Sequence, residues 1–201
     1  MVRVLIAEDM RILRDTLVAV LNLEDDLKVV AEVASGDRIV PAALEHRPDV
    51  AVLDIDLPAV DGLTAAAELH RRLPSCRILV LTGLGQPGHL RRAVAAHVSG
   101  FMVKDAPSEE LVAAVRKVAG GGRVFDPKLA VAALETVENP MSARETEVLK
   151  RYAEGASAAE IATDLYLSYG TVRNYLASAV SKLGARNRVD AARIADEAGW
   201  L

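Results

Sequence analysis

The sequence has few aromatic residues, a single cysteine and no long apolar run. Phe, Trp and Tyr make up 3% of the 201 residues, so a core has to be built from Ala, Val, Leu and Ile. The lone thiol of Cys76 excludes an internal disulfide, which fits a reducing compartment. No apolar stretch approaches the roughly 18 residues of a membrane span, and acidic residues come too early for a signal peptide. We therefore expect a cytoplasmic protein without membrane contact.

A net basic charge is also absent, because the formal net charge is −4 at pH 7. Taken alone, that value argues against a nucleic-acid partner. The charge is unevenly distributed, however, and segment 173–193 contains a single acid, Asp190, beside five basic residues, namely Arg173, Lys182, Arg186, Arg188 and Arg193. A basic stripe of this kind is typical of a nucleic-acid contact.

The first 120 residues alternate short apolar runs with longer stretches of helical spacing. The runs are 4–7, 29–33, 50–53, 78–81 and 101–103. Their continuous apolar character predicts a domain over 1–120, an α/β doubly wound five-stranded parallel sheet with helices on both faces. We expect the third helix to begin near Asp61 and Gly62, and the hydroxyl of Ser108 to cap the fifth helix ahead of two glutamates.

Three consecutive glycines at 120–122 end this pattern. We predict a linker over 121–140 with a short helix over 128–137. The periodicity of 141–201 is entirely helical and predicts an all-α domain of four helices. Two capping boxes, Ser142 with Glu145 and Ser157 with Glu160, open the first two helices. Ser168 is expected to cap a third helix, which runs to about 183 before Gly184, and a fourth covers 189–198.

Polar side chains follow four of the five predicted strands where each strand ends. They are Glu8, Asp9, Asp54, Thr82 and Lys104. The carboxyl ends of parallel strands border one crevice, and converging carboxylates need a hard cation such as Mg²⁺. The set suits phosphoryl transfer: Asp54 attacks phosphorus, the metal and Lys104 neutralise the phosphoryl oxygens, and Thr82 donates a hydrogen bond. The alternative is that strand-end acids merely cap the following helices, which explains one acid better than it explains five suitable residues.

These residues resemble the receiver domain of two-component signalling. The matching motifs are Glu8-Asp9, VLDIDLP at 52–58, Asp61-Gly62, Leu81-Thr82 and GFMVK at 100–104. The resemblance implies that Asp54 accepts a phosphoryl group from a sensor histidine kinase. It implies that Glu8, Asp9, Asp54 and the main-chain carbonyl of Asp56 hold Mg²⁺. It also implies that Thr82 and Phe101 move on phosphorylation.

The sequence departs from the usual receiver pattern at two positions. Phe101 stands where tyrosine is frequent, so the switch side chain has no hydroxyl and ordinary core packing is the alternative to a switch role. Asp105 follows Lys104 where many receivers have proline. The glycine-rich segment 83–88 has two interpretations, a loop that rearranges with the phosphoryl group or a plain surface turn.

The last third contains a predicted helix-turn-helix, with helices over 157–165 and 169–183. The apolar face of its second helix is Val172, Leu176, Val180 and Leu183, and the opposite face is Thr171, Arg173, Asn174, Ser178 and Lys182. Arginine and asparagine can read guanine and adenine through paired hydrogen bonds, and Thr171 and Lys182 suit phosphates. The alternative is the solvated polar face of a surface helix.

The segment 140–201 resembles the LuxR-type domain of the NarL/FixJ family. The motifs are MSARETEVL at 141–149, GAS at 155–157, EIA at 160–162, Leu167-Ser168, TVR at 171–173 and KLG at 182–184. The resemblance implies that Arg173 and Asn174 face DNA. Ala177 and Tyr175 replace residue types frequent in the family, which leaves the base preference open. GTVRNYL at 170–176 and the ending GWL resemble the branch that includes regulators of membrane-lipid desaturation.

Together these resemblances imply a response regulator. We expect phosphorylation of Asp54 to make one receiver surface self-complementary, through helices 1 and 5 or the strand 4–helix 5 side. The resulting homodimer is expected to bind double-stranded promoter DNA and control transcription. Two alternatives stay open. One is a phosphorylation-independent DNA-binding regulator with a degenerate receiver. The other is an enzyme, a Mg²⁺-dependent phosphatase of the haloacid-dehalogenase type, whose nucleophile normally follows the first strand rather than the third.

Overall fold

The computed structural model describes residues 1–83, 87–126 and 139–201, which fall into two compact units treated separately below. The predicted helix over 128–137 and the centre of the glycine-rich segment 83–88 lie outside the described residues. The boundaries 1–120, 121–140 and 141–201 stay predictions.

The first unit is built on a five-stranded sheet. Its strands are β1 (Val2–Ala7), β2 (Leu27–Val33), β3 (Val50–Asp54), β4 (Arg77–Thr82) and β5 (Gly100–Val103). All neighbours pair in parallel in the order β2-β1-β3-β4-β5. The chain therefore winds in one direction from β1 to β2 and in the other from β3 onward, which opens a crevice at the carboxyl ends of β1 and β3. This confirms the predicted doubly wound sheet.

Five helices accompany the sheet, namely α1 (Arg11–Asn22), α2 (Ile39–His46), α3 (Gly62–Arg72), α4 (Pro87–Ala95) and α5 (Ser108–Ala119). The predicted start of α3 is confirmed, because Asp61 is the cap and its carboxylate accepts hydrogen bonds from the amides of Leu63 and Thr64. The prediction that Ser108 caps α5 is wrong. Pro107 occupies the cap position and its carbonyl accepts from the amides of the first turn, which makes Ser108 the first helical residue.

An aliphatic core joins the sheet to α1 and α5. Val4, Ile6, Leu21, Leu79 and Val115 are fully buried in it. A residue placed in the predicted linker also belongs to this unit: Val124 accepts from the Phe101 amide at 2.7 Å and donates to the Ser99 carbonyl at 3.1 Å. The edge strand β5 thus forms hydrogen bonds with a residue that lies after the three glycines, inside the predicted linker.

Cys76 is buried, with 1% of its surface exposed. Burial disfavours the thiolate and raises the pKa of this thiol to about 12. We expect a disulfide reagent such as Ellman's reagent to modify the native protein at least about 100-fold more slowly than the chain unfolded in guanidinium chloride. Absorbance of the released thiolate measures both rates, and equal rates would contradict a structural role for this thiol.

The second unit consists of α6 (Ala143–Ala153), α7 (Ala158–Asp164), α8 (Tyr169–Lys182) and α9 (Arg188–Glu197). Both predicted capping boxes are present. Ser168 caps α8 by accepting from the Thr171 amide, and α8 ends before Gly184, whose φ of 60° is the left-handed conformation that glycine permits. The buried residues of the four helices form one core that includes Val148, Leu149, Ile161, Val172 and Leu176. None of the helices in the described ranges is both long and apolar enough to span a bilayer.

Candidate functional site

The predicted strand-end residues of the first unit converge. Glu8 follows β1, Asp54 ends β3 and Lys104 follows β5. Glu8 and Asp54 are 1% and 2% exposed, whereas Asp9 is exposed. One carboxylate oxygen from each of Glu8, Asp9 and Asp54 lies within 4.8 Å of the other two. The topology of the sheet therefore gathers three carboxylates, separated by up to 46 residues of sequence, at one point.

Lys104 faces this acidic cluster. Its Nζ lies 2.8 Å from Asp54 Oδ2 and 2.9 Å from Glu8 Oε2. Its position is set by the backbone, because the Lys104 amide donates to the Thr82 carbonyl at 2.8 Å. Thr82 itself ends β4 and is 1% exposed. One ammonium thus lies beside two buried carboxylates at the end of adjacent strands.

The charges in the cluster do not balance. Burial and the neighbouring Asp54 charge raise the pKa of Glu8, and the contact with Lys104 opposes that rise. Burial would lower the pKa of Lys104, but its bonds to Asp54 and Glu8 outweigh burial and raise it. Lys104 therefore stays protonated at neutral pH and offsets one negative charge. In addition, Asp54 Oδ1 is buried and accepts no hydrogen bond from any described residue, so an oxygen-seeking cation fits this donor set.

The alternative that these acids cap α1 does not describe the structure. The cap residue of α1 is Met10, whose side chain makes no capping hydrogen bond, and the first turn contains no acid. Glu8 Oε1 instead accepts from the Met10 amide at 3.2 Å. Arg14, which the sequence reasoning missed, donates to the Glu8 carbonyl at 2.6 Å and ties α1 to the end of β1. The sequence signal for this contact is an arginine in the first turn of α1, shortly after the acidic pair Glu8-Asp9.

The loop after β3 is packed tightly against the site. The Gly62 amide donates to the Ile55 carbonyl at 2.8 Å, and a Cβ on Gly62 would lie 1.8 Å from the Asp54 carbonyl oxygen. Asp61, the cap of α3, pairs with Arg92 of α4 at 3.0 Å, a contact the sequence did not reveal. Burial would raise the pKa of Asp61, but the bond from Thr64 and the Arg92 charge outweigh burial and lower it.

Two further predicted residues lie at this end of the sheet. Asp56 is exposed in the loop that follows β3. Phe101 is on β5 and is 3% exposed. Burial of the ring is compatible with ordinary packing and with an inward switch state, so its movement stays a prediction, as does the ligand role of the Asp56 carbonyl.

The second predicted site is on α8. Val172 and Leu176 are fully buried, as expected for the packing face. Arg173 and Asn174 are exposed and form no hydrogen bond or ion pair with the described residues. The other three predicted contacts are engaged within the unit: the Thr171 hydroxyl lies 2.8 Å from Ser168 Oγ, and Ser178 and Lys182 bind Glu145 at 2.6 and 2.7 Å. DNA contact by these five residues stays a prediction, and Arg173 and Asn174 are the two left open for it.

Glu145 is a buried acid at the junction of α6 and α8. Its bonds from Lys182 and Ser178 lower its pKa to about 2. The charged form therefore stabilises the fold at pH values above the ordinary carboxyl pKa of about 4.3, and this stabilisation is lost as the pH falls towards 2. We expect Glu145→Gln to lower the free energy of unfolding by about 1–3 kcal/mol at pH 7, and by progressively less below pH 4.

Fluorescence of Trp200, the single tryptophan, measures this effect because its side chain packs on the core of the second unit. The control is Glu147→Gln, which removes an exposed i,i+3 pair with Arg144 and should cost about 0.5 kcal/mol or less. Equal urea midpoints for the two variants at pH 7 would argue against the Glu145 junction.

The doubly wound sheet with its acidic crevice, followed by a helix-turn-helix unit, is the domain arrangement of a response regulator, in which a receiver domain precedes a DNA-binding domain. Two family profiles agree: the response regulator receiver domain matches residues 4–116, and the luxR family of bacterial regulatory proteins matches residues 139–195. The chain belongs to the response regulators with a LuxR-type DNA-binding domain. Asp54 ends the third strand, whereas the phosphatase alternative places its nucleophile after the first.

Relatives match the chain along its full length. Response regulator RamR of Streptomyces coelicolor is 43% identical over 201 residues, covering 100% of this chain and 98% of the relative. Transcriptional regulatory protein DesR of Bacillus subtilis is 41% identical over 201 residues, with full coverage of both chains. The structure of RcsB from Salmonella enterica serovar Typhimurium, bound to promoter rprA with the phosphomimetic BeF3-, has a TM-score of 0.63 and 26% identity, covering 98% and 99% of the two chains.

Proposed function

We propose that Asp54 accepts a phosphoryl group from a sensor histidine kinase, and that this modification controls promoter binding by the second unit. One observation carries the proposal. Asp54 Oδ2 contacts Lys104, while Asp54 Oδ1 is buried without a hydrogen bond among the described residues and lies in a cluster of three carboxylates. A carboxylate held in this way is oriented and paired with a fixed positive charge, and its two oxygens can divide the roles of metal ligand and nucleophile.

The proposed chemistry assigns a role to each side chain. A carboxylate oxygen of Asp54 forms a bond to phosphorus as the bond from phosphorus to the kinase histidine breaks. Lys104 neutralises charge on the phosphoryl oxygens, and the Thr82 hydroxyl donates to one of them. Glu8, Asp9, Asp54 and the Asp56 carbonyl would hold Mg²⁺, which supplies further charge neutralisation when bound.

The proposed output is a homodimer on promoter DNA. Phosphorylation adds charge and acceptor oxygens at the end of β3, and Thr82 and Phe101 would respond from β4 and β5. A two-fold dimer then presents two copies of α8 to two half-sites. The RcsB structure with a phosphomimetic and a promoter supports this coupling. In this proposal the protein works in the cytoplasm and is not an enzyme beyond slow loss of its own phosphoryl group.

Intact mass spectrometry with acetyl phosphate and Mg²⁺, beside size-exclusion chromatography with light scattering, tests the proposal. We expect one phosphoryl adduct and a shift from monomer to dimer, and neither in Asp54→Asn, which conserves the shape of the buried side chain. An adduct that persists in Asp54→Asn would refute the assignment. If the wild-type protein takes no phosphoryl adduct and still binds DNA, the degenerate-receiver alternative is favoured.

A further inference from the structure

Tyr169 opens α8 and is 55% exposed. The guanidinium carbon of Arg173, one helical turn later, lies 6.0 Å from the centroid of its ring. Residues four apart share a helix face, and at this distance the negative face of an aromatic ring attracts a cation. An aromatic ring therefore lies beside Arg173, the single arginine of this helix.

Five other cations of the second unit are held in ion pairs instead. Four arginines of 139–201 form ion pairs with neighbouring carboxylates, namely Arg144, Arg151, Arg186 and Arg193. Lys182, the second cation of α8, pairs with Glu145. Arg173 has no ion pair with any described residue. Among the described residues, the contact that the structure shows for its guanidinium is the ring of Tyr169.

The start of α8 fixes the position of this ring along the chain. Ser168 Oγ accepts from the Thr171 amide at 3.0 Å and lies 2.8 Å from the Thr171 hydroxyl. These bonds hold the first turn, in which Tyr169 is the first residue. The first turn of the second helix of a helix-turn-helix is the part that approaches base edges, so the Tyr169 ring lies where the proposed DNA contact would be made.

We propose that Tyr169 is a positioning residue for sequence reading: its ring orients the Arg173 guanidinium for a paired hydrogen bond to guanine at one position of each half-site. The inference rests on the proposed DNA-binding function. An arginine stacked on an aromatic face keeps its N–H donors free in the plane of the guanidinium, and guanine presents the two acceptors that match them. Restraint before binding also lowers the entropy lost on binding.

The test begins with the full-length wild-type chain, phosphorylated as above, selecting sites from a random-sequence duplex library. The guanine read by Arg173 is the one whose replacement does not weaken binding by Arg173→Ala. Affinities are then measured for the selected duplex and for a duplex in which that guanine is replaced. Tyr169→Ala should weaken binding to the selected duplex about two- to five-fold and reduce discrimination at that guanine. Tyr169→Phe, which keeps the ring, should retain both. In the Arg173→Ala background, Tyr169→Ala should have no additional effect.

The matched control is Tyr166→Ala, a change to a tyrosine in the preceding turn that is 96% exposed, which should bind like wild type. Thermal unfolding of Tyr169→Ala should also be unchanged. The inference is overturned if Tyr169→Ala causes an equal loss of affinity in the presence and absence of Arg173. It is also overturned if Tyr169→Phe behaves like Tyr169→Ala, or if Tyr169→Ala keeps the guanine preference. A wild-type chain that selects no sequence contradicts the proposed function itself, and the inference with it.

Discussion

Lys104→Met is expected to slow phosphorylation of Asp54 by acetyl phosphate about 100-fold or more. Lys104 Nζ lies 2.8 Å from Asp54 Oδ2, and a fixed donor aimed at developing negative charge contributes a factor of about 10²–10³. Removing the ammonium also leaves Glu8 and Asp54 without their shared positive partner. The variant should therefore be stabilised more by Mg²⁺ than the wild type is. Time-resolved intact mass measures the rate, and thermal unfolding with and without Mg²⁺ measures the stabilisation.

The control for Lys104 is Lys117→Met, which removes an exposed lysine from the last turn of α5 and should be phosphorylated at the wild-type rate. A Lys104→Met rate within a few-fold of wild type would mean that the acidic cluster and its cation alone carry the reaction. The proposed role of the ammonium would then be withdrawn, while Asp54 as acceptor would stand.

Gly62→Ala is expected to disrupt the first unit. Alanine is favoured over glycine inside a helix by about 1 kcal/mol, so helix propensity alone predicts stabilisation. The added Cβ would, however, lie 1.8 Å from the Asp54 carbonyl oxygen and 3.1 Å from the Ile55 Cα. Both neighbours are backbone atoms, one in the last residue of β3 and one in the buried residue after it, and cannot rotate away. We expect a loss of about 3 kcal/mol or more, which exceeds the propensity gain.

Circular dichroism during thermal unfolding measures the effect of Gly62→Ala. Gly120→Ala is the matched comparison, because a Cβ there would meet its nearest neighbours at 3.6 Å, an ordinary contact. That variant should melt within a few degrees of wild type. A Gly62→Ala protein that melts like Gly120→Ala would show that the loop after β3 yields where the structure indicates that it is fixed.

The acidic cluster and Lys104 could be predicted because each residue follows an apolar run, and the carboxyl ends of parallel strands border one crevice. Glu8, Asp54 and Lys104 need no knowledge of packing angles to be placed together. The face of α8 that is proposed to contact DNA was less predictable. Helical spacing puts Ser178 and Lys182 on the polar face with Arg173, but it does not show that Glu145, 33 and 37 residues away, accepts from both.

The same limit explains two smaller differences. A capping box predicts one local hydrogen-bond partner for Glu145, Ser142, and does not indicate that its carboxylate has further donors. Consecutive glycines mark the end of α5 but do not show that Val124 pairs with the edge of β5 two residues after them. In both cases the missing information is the relative placement of elements, which a pattern within one element does not contain.

The Glu145 junction has a consequence for redesigning sequence preference. One carboxylate joins the start of α6 to the second half of α8, so the two helices share a support that does not depend on DNA. Positions 178 and 182 belong to that support, and changing them would alter the scaffold along with any contact. Arg173, Asn174 and the exposed Ala177 lie outside it. If α8 contacts DNA as proposed, a library restricted to these three positions would vary the contacting side chains and leave the Glu145 junction unchanged.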